Sequence, residues 1–171
     1  MRRRRSALAA ALGAMAIVAL VPAAAGGRTT MMIEAQSMTG VPAALTVAQA
    51  PIRGVNGGGV PWVVGSAKLE LSTGGSLELK VRHLVIDPND PVAISRGIGG
   101  TNPIPNFRVL VSCLTSSGAT MNVSSDLFPV TTGLGGGSGE IETQLALPMP
   151  CIAPIVFITS PGGAWFATTG G

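Results

Sequence analysis

Ser66-Ala67-Lys68-Leu69-Glu70-Leu71, followed after Thr73-Gly74-Gly75 by Leu77-Glu78-Leu79-Lys80-Val81-Arg82, decides the fold. In both runs the odd positions are apolar and the even positions polar, which is the period of a strand with one buried and one solvated face. Two such runs around a glycine-containing turn predict a β-hairpin. Both apolar sets share one face only if the loop has an odd number of residues. A three-residue loop pairs Glu70 with Glu78 and Lys68 with Lys80. Those direct like-charge pairs are mildly unfavourable, while the diagonals Glu70–Lys80 and Lys68–Glu78 are attractive and within reach.

Outward from the hairpin, short strands recur between Gly, Pro and Ser clusters. Phe107 to Thr115 is apolar on both parities, as expected of a central strand covered on both faces. Ala119 to Ser124 reads as a polar companion. Gly139 to Leu147 alternates, with Ile141, Thr143, Leu145 and Leu147 on one side and Glu140, Glu142 and Gln144 on the other. Ile155 to Thr159 and Trp165 to Thr168 flank the turn Ser160-Pro161-Gly162-Gly163. No 11-residue window has a convincing helical period. These features predict an all-β fold, a small antiparallel β-sandwich or barrel-like sandwich over residues 46–171. Residues 26–45 read either as a flexible leader or as an edge strand.

The N-terminus reads differently. Arg2 to Arg5 precede an uncharged apolar stretch, Ala7 to Val21, and then Pro22-Ala23-Ala24-Ala25-Gly26. That is a positive n-region, an apolar h-region and a small-residue cleavage site, so residues 1–25 are expected to be a cleaved signal peptide. The stretch is shorter than the roughly 20 residues of a membrane span, and an uncleaved anchor is the alternative. Secretory export is favoured over the twin-arginine route because Ser6-Ala7-Leu8 lacks that motif's large apolar residue. The expected localisation is secreted or extracytoplasmic, with no stable membrane anchor after cleavage. The whole chain of 171 residues carries 11 Lys+Arg against 8 Asp+Glu. Without residues 1–25 the balance is 7 basic against 8 acidic side chains, net −1. A nucleic-acid partner needs clustered basic residues on the folded domain, and none is expected here. The two cysteines, Cys113 and Cys151, predict one disulfide in an exported chain, with two free thiols as the alternative.

Few residues carry chemistry. His83 is the only histidine and the only ready proton shuttle near neutral pH. Parity places it on the apolar face, and Leu84-Val85-Ile86 then breaks the alternation, as at a bulge or a strand entering a two-sided core. No G-x-S-x-G nucleophile turn accompanies it, so His83 is a weak catalytic candidate beside a structural reading. Asp87, Asn89 and Asp90, in Asp87-Pro88-Asn89-Asp90-Pro91, are weak candidates for calcium ligands, although turns favour the same residues. Glu140 and Glu142 lie two apart on one strand face, whereas glycosidase carboxylates flank a sugar from two sides. The glycine clusters at 57–59, 99–100 and 133–139 lack a following helix and the phosphate-loop lysine, and they read as turns. Trp62, Trp165 and Phe166 border glycine loops. They are either a ligand-stacking platform or plugs for the sandwich ends. Asn122-Val123-Ser124 matches a glycosylation acceptor of eukaryotic secretion. No motif asks for a cofactor.

Pro51-Ile52-Arg53-Gly54 through Pro61-Trp62-Val63-Val64, Phe107 to Cys113, and Pro150-Cys151 through Pro161-Gly162-Gly163-Ala164-Trp165-Phe166-Ala167 resemble a group of uncharacterised small secreted bacterial proteins. The resemblance implies export and a single compact unit. It carries no activity and no functional residue. The expected function is a non-catalytic binding or structural module outside the cytoplasm, its partner an extracellular ligand or surface component. The alternatives are a small secreted hydrolase using His83 and a passive cell-surface or matrix protein.

Overall fold

Strands β3 (Trp62–Ser72) and β4 (Ser76–Ile86) form the hairpin with residues 73–75 as its three-residue loop. Lys68 pairs with Lys80, Leu69 with Leu79, and Glu70 with Glu78, the register required by the alternation. The computed structural model describes residues 29–42 and 51–170, so the expected signal peptide at 1–25 lies outside the described residues. The described part of 26–45 forms edge strands. β1 (Met31–Ala35) pairs antiparallel with β3, and β2 (Thr39–Gly40) crosses to the other sheet.

The remaining elements are α1 (Pro91–Ser95), β5 (Thr101–Asn102), β6 (Asn106–Leu114), β7 (Thr120–Pro129), β8 (Gly133–Leu134), β9 (Gly139–Gln144), β10 (Ile152–Thr159) and β11 (Trp165–Thr168). They make an antiparallel β-sandwich of two main sheets, one ordered β1-β3-β4-β9 and the other β2-β11-β10-β6-β7, with a small β5-β8 ladder beside them. Leu69, Leu71, Leu77, Leu79 and Val81 of the first sheet are buried against Phe107, Val109, Val111, Val156 and Ile158 of the second. Burying each such side chain is worth about 1.5–3 kcal/mol. Trp62, Phe107, Phe128 and Phe166 fill one end, with Trp62 stacked on Phe166 at a centroid distance of 4.1 Å.

Cys113 and Cys151 are joined in a disulfide with a Cα–Cα distance of 4.9 Å. The bond ties β6 to the entrance of β10, two strands that already pair. No helix among the described residues is long and apolar enough to cross a membrane.

Two local expectations are corrected. The ion pairs are not the hairpin diagonals. Lys68 bridges to Glu70 on its own strand at 2.8 Å, and Lys80 reaches Glu140 at 3.3 Å. β9 sets Glu140 directly opposite Lys80, nearer than any diagonal partner. The hydrogen bond that Lys68 donates to the Glu70 carboxylate raises the pKa of its ammonium above the usual value. The second correction is α1, a five-residue helix where only a turn was expected. Asp90 caps it, its Oδ1 accepting from Ala93 N at 2.8 Å, and Pro91 follows as the first helical residue.

The register also produces a row of like charge. Glu34 faces Glu70, Glu70 faces Glu78, and Glu78 faces Glu142, so one glutamate from each strand crosses the outer face of the first sheet. Directly opposed like charges are destabilising. Glu78 has one on each side, and Glu78→Gln is expected to raise the midpoint of urea unfolding, by about 0.5 kcal/mol in stability. A fall would show that the row is held together by something other than strand pairing. Removing the disulfide with Cys113→Ser plus Cys151→Ser is expected to lower stability by about 4 kcal/mol for a loop of this length, read in the same unfolding experiment. In unreduced, unfolded protein a thiol titration should find no free thiol.

Candidate functional site

His83 sits at a reversal of phase. Between Leu77 and Val81 the inward residues of β4 are odd, whereas beyond His83 the core-facing ones are Leu84 and Ile86. β3 switches in step: Ala67, Leu69 and Leu71 face inward below Gly65, Trp62 and Val64 above it. The pairing register runs on without a shift, Ser66 with Arg82 and Val64 with Leu84. The reversal comes from the backbone of His83, at φ 52°. This left-handed conformation is rare for a side-chain-bearing residue and commoner for His than for most. Gly65 lies across from it because a Cβ there would come within 2.9 Å of the His83 Cβ and 3.1 Å of the Arg82 carbonyl oxygen.

The expectation that parity puts His83 on the apolar face is therefore corrected: its side chain is exposed. Its Nδ1 lies 2.6 Å from Gly135 O. A carbonyl only accepts, so Nδ1 carries the hydrogen. The His83 N–H donates to Ser138 Oγ at 3.1 Å, and Leu84 N donates to Gly137 O at 3.1 Å. His83 thus pins the glycine loop onto β4. Any side chain at Gly137 would overlap the Leu84 carbonyl. Gly136, Gly137 and Gly139 serve close backbone contact, whereas Gly133 and Gly135 have positive φ and a Cβ there would meet nothing closer than 3.9 Å.

The oxygen cluster is likewise occupied by local structure. Asp87 Oδ1 accepts from Asn89 N at 2.8 Å, and Asp90 caps α1. No group of three or more His, Cys, Asp and Glu side chains comes together to hold a metal among the described residues. Glu140 and Glu142 point out from β9 beside Lys80 and Glu78, lining an open groove of about 480 Å³. All three carboxylates of the groove lie on one face of the sheet, Glu78 on β4 directly opposite Glu142.

The aromatic platform is corrected. Trp62, Trp165 and Phe166 are 4%, 1% and 4% exposed, so none offers a ring face to a ligand. Trp62 and Phe166 lie between the sheets. A bulge in the β10–β11 pairing between Ile158 and Thr159 turns Phe166 inward and leaves Trp165 on the outer face of the second sheet beside Phe157, 6.1 Å away. That outer face is the feature sequence reasoning missed. Arg108, Leu110 and Ser112 of β6 lie on it with Thr159, Phe157 and Ile155 of β10.

A strap at residues 51–58 covers it. Trp165 N donates to Asn56 O and Gly58 N to Trp165 O, each at 2.8 Å. Arg53 Nη1 donates to Ser112 O at 3.0 Å, and Asn122 Nδ2 to Arg53 O at 3.4 Å. Val55 is buried under the strap. Beside it a cavity of about 310 Å³ opens between Val55 and Asn56, Leu110, Asn122 and the turn Gly162-Gly163-Ala164. A cavity of that size holds a small molecule. The signal in the sequence was the two-sided apolarity of β6, which announced a cover without naming it.

The phase reversal is open to direct test by urea unfolding. Gly65→Ala is expected to lose about 1–3 kcal/mol by forcing a contact with His83. His83→Val should lose at least about 1 kcal/mol more than His83→Asn, because a β-branched residue is poorly tolerated in the left-handed region. Equal losses would contradict the role given to the backbone of His83. No family model, no curated protein and no solved structure matches this chain.

Proposed function

We propose that the chain is exported, loses residues 1–25, and works outside the cytoplasm as a non-catalytic binding or structural module, with the groove beside the strap as its binding site. The observation that carries this reading is that the histidine, the two aspartates of the oxygen cluster and both cysteines already serve the fold. His83 holds the glycine loop, Asp87 and Asp90 hold a turn and a helix, and both cysteines are joined. The disulfide supports an oxidising compartment, since cytosolic thiols are kept reduced. Arg2 to Arg5 before the apolar stretch support export through the secretory route.

Fractionation of cells expressing the full chain tests the export half. The expected product is extracytoplasmic, begins near Gly26 and has no free thiol. A full-length cytoplasmic product with two free thiols contradicts it. For the non-catalytic half, purified mature protein is assayed on ester, peptide and glycoside substrates beside His83→Ala. Turnover that disappears in a variant still folded by circular dichroism overturns the reading in favour of a hydrolase.

A further inference from the structure

We infer that the chain pairs with a second copy of itself along strand β7, residues 120–124 of the two copies forming an antiparallel ladder about a two-fold axis at Asn122. The edge of a sheet offers unpaired N–H and C=O groups to any other strand, and proteins blunt it with short strands, charges, bulges or proline. Most edges of the two main sheets are blunted in this way. β2 has two residues, β1 carries Glu34 and a bulge, and β9 carries Glu140 and Glu142. β7, the remaining edge, is 10 residues long.

Its protection is confined to one half. A bulge falls between Ser124 and Leu127, Asp126 lies within it, and Pro129 ends the strand. From Thr115 to Ser125 there is no charged residue and no proline, and Thr120, Met121, Asn122 and Ser124 are exposed. The direction of the backbone groups follows from the turn before them. Thr115 N donates to Ala119 O at 2.9 Å, and bonded positions alternate along an antiparallel pair. Met121 and Val123, opposite Cys113 and Val111, therefore bond to β6. Thr120, Asn122 and Ser124 turn their N–H and C=O groups outward, and among the described residues no strand bonds to them there.

The side chains select the partner. Thr120-Met121-Asn122-Val123-Ser124 alternates polar and apolar symmetrically about Asn122. A two-fold axis at Asn122 sets Thr120 opposite Ser124 of the second copy, Met121 opposite Val123, and Asn122 opposite its own equivalent. It also makes the outward-pointing positions the bonded ones. Hydroxyl then meets hydroxyl, apolar meets apolar and amide meets amide, and no charge is set against another. A slip of one residue would break both the bonding and the alternation. A ladder of this length falls short of the roughly 1,200–2,000 Å² of a stable interface, so the association is weak and grows with concentration. Asn122 also lines the groove beside the strap, and pairing sets two such grooves side by side across the axis.

The test is sedimentation velocity with amide hydrogen exchange on the product purified from cells expressing the full chain, up to about 1 mM. A dimer is expected to grow with concentration, and the amides of Thr120, Asn122 and Ser124 to become protected as it does. Thr120→Lys plus Ser124→Lys opposes like charges across the axis and should weaken the dimer by about tenfold. Thr120→Lys plus Ser124→Glu opposes unlike charges at the same positions and should restore at least the original dimerisation. Asn122→Pro, which removes an outward N–H and leaves the bonds to β6 in place, replaces either variant that fails to fold by circular dichroism, and should also weaken the dimer. A chain that stays monomeric throughout, or a dimer that the variants leave unchanged, overturns the inference. So does a dimer that the Lys–Glu variant weakens as much as the Lys–Lys variant. Protection of the three amides that does not vary with concentration overturns it too, because the edge is then covered within one copy.

Discussion

Strand β6 has no face for water, and much of the molecule follows from that. Its odd residues, Phe107, Val109, Val111 and Cys113, pack against the hairpin, and its even residues Leu110 and Ser112 are buried on the other side. A sheet in an ordinary two-layer sandwich shows its outer face to solvent. Here Phe157 lies opposite Leu110 on that face and Trp165 lies beside Phe157, apolar groups too large to leave exposed. The strap at 51–58 answers this by lying across the face and borrowing the edge of β11 for its hydrogen bonds. The cavity beside the strap and the buried indole both follow from covering the sheet with a strap narrower than the sheet.

The hairpin meets a different constraint. Eleven-residue strands twist along their length, and one fixed alternation does not keep both ends facing the same core. Gly65 and His83 reverse the phase of both strands together, so that Leu69 and Leu79 at one end and Trp62 and Leu84 at the other all reach the interior. A bulge would also change facing, but it inserts a residue and shifts the register. The left-handed histidine reverses the phase with the pairing intact, at the expense of an uncommon backbone conformation and a glycine across from it.

These features differ in how much of them the sequence discloses. The hairpin and its register were legible from Lys68 to Lys80 because period-two alternation and an odd loop admit a single solution. The two-sided burial of β6 was legible from its apolar run, and the disulfide from an even cysteine count behind an export signal. The strap was not legible. Pro51-Ile52-Arg53-Gly54-Val55-Asn56 has no periodicity, and what orders it is a long-range fit to Trp165, Ser112 and Asn122. The facing of His83 failed for a related reason, since parity assumes an extended backbone and φ 52° is not extended. Trp62, Trp165 and Phe166 border glycine loops in the sequence, but adjacency in the chain did not predict exposure. α1 went unseen because five residues carry too little periodicity, although Asp90 before Pro91 is a helix-start pair in its own right.

The central claim is that the strap is a fixed layer of the fold, and native-state amide hydrogen exchange addresses it most directly. The amides of Gly58 and Trp165 join the strap to β11. Their protection should approach that of Val109 and Val156 in the core of the same sheet. Exchange of Gly58 and Trp165 at the rate of an unstructured peptide, with Val109 and Val156 still protected, would contradict the account.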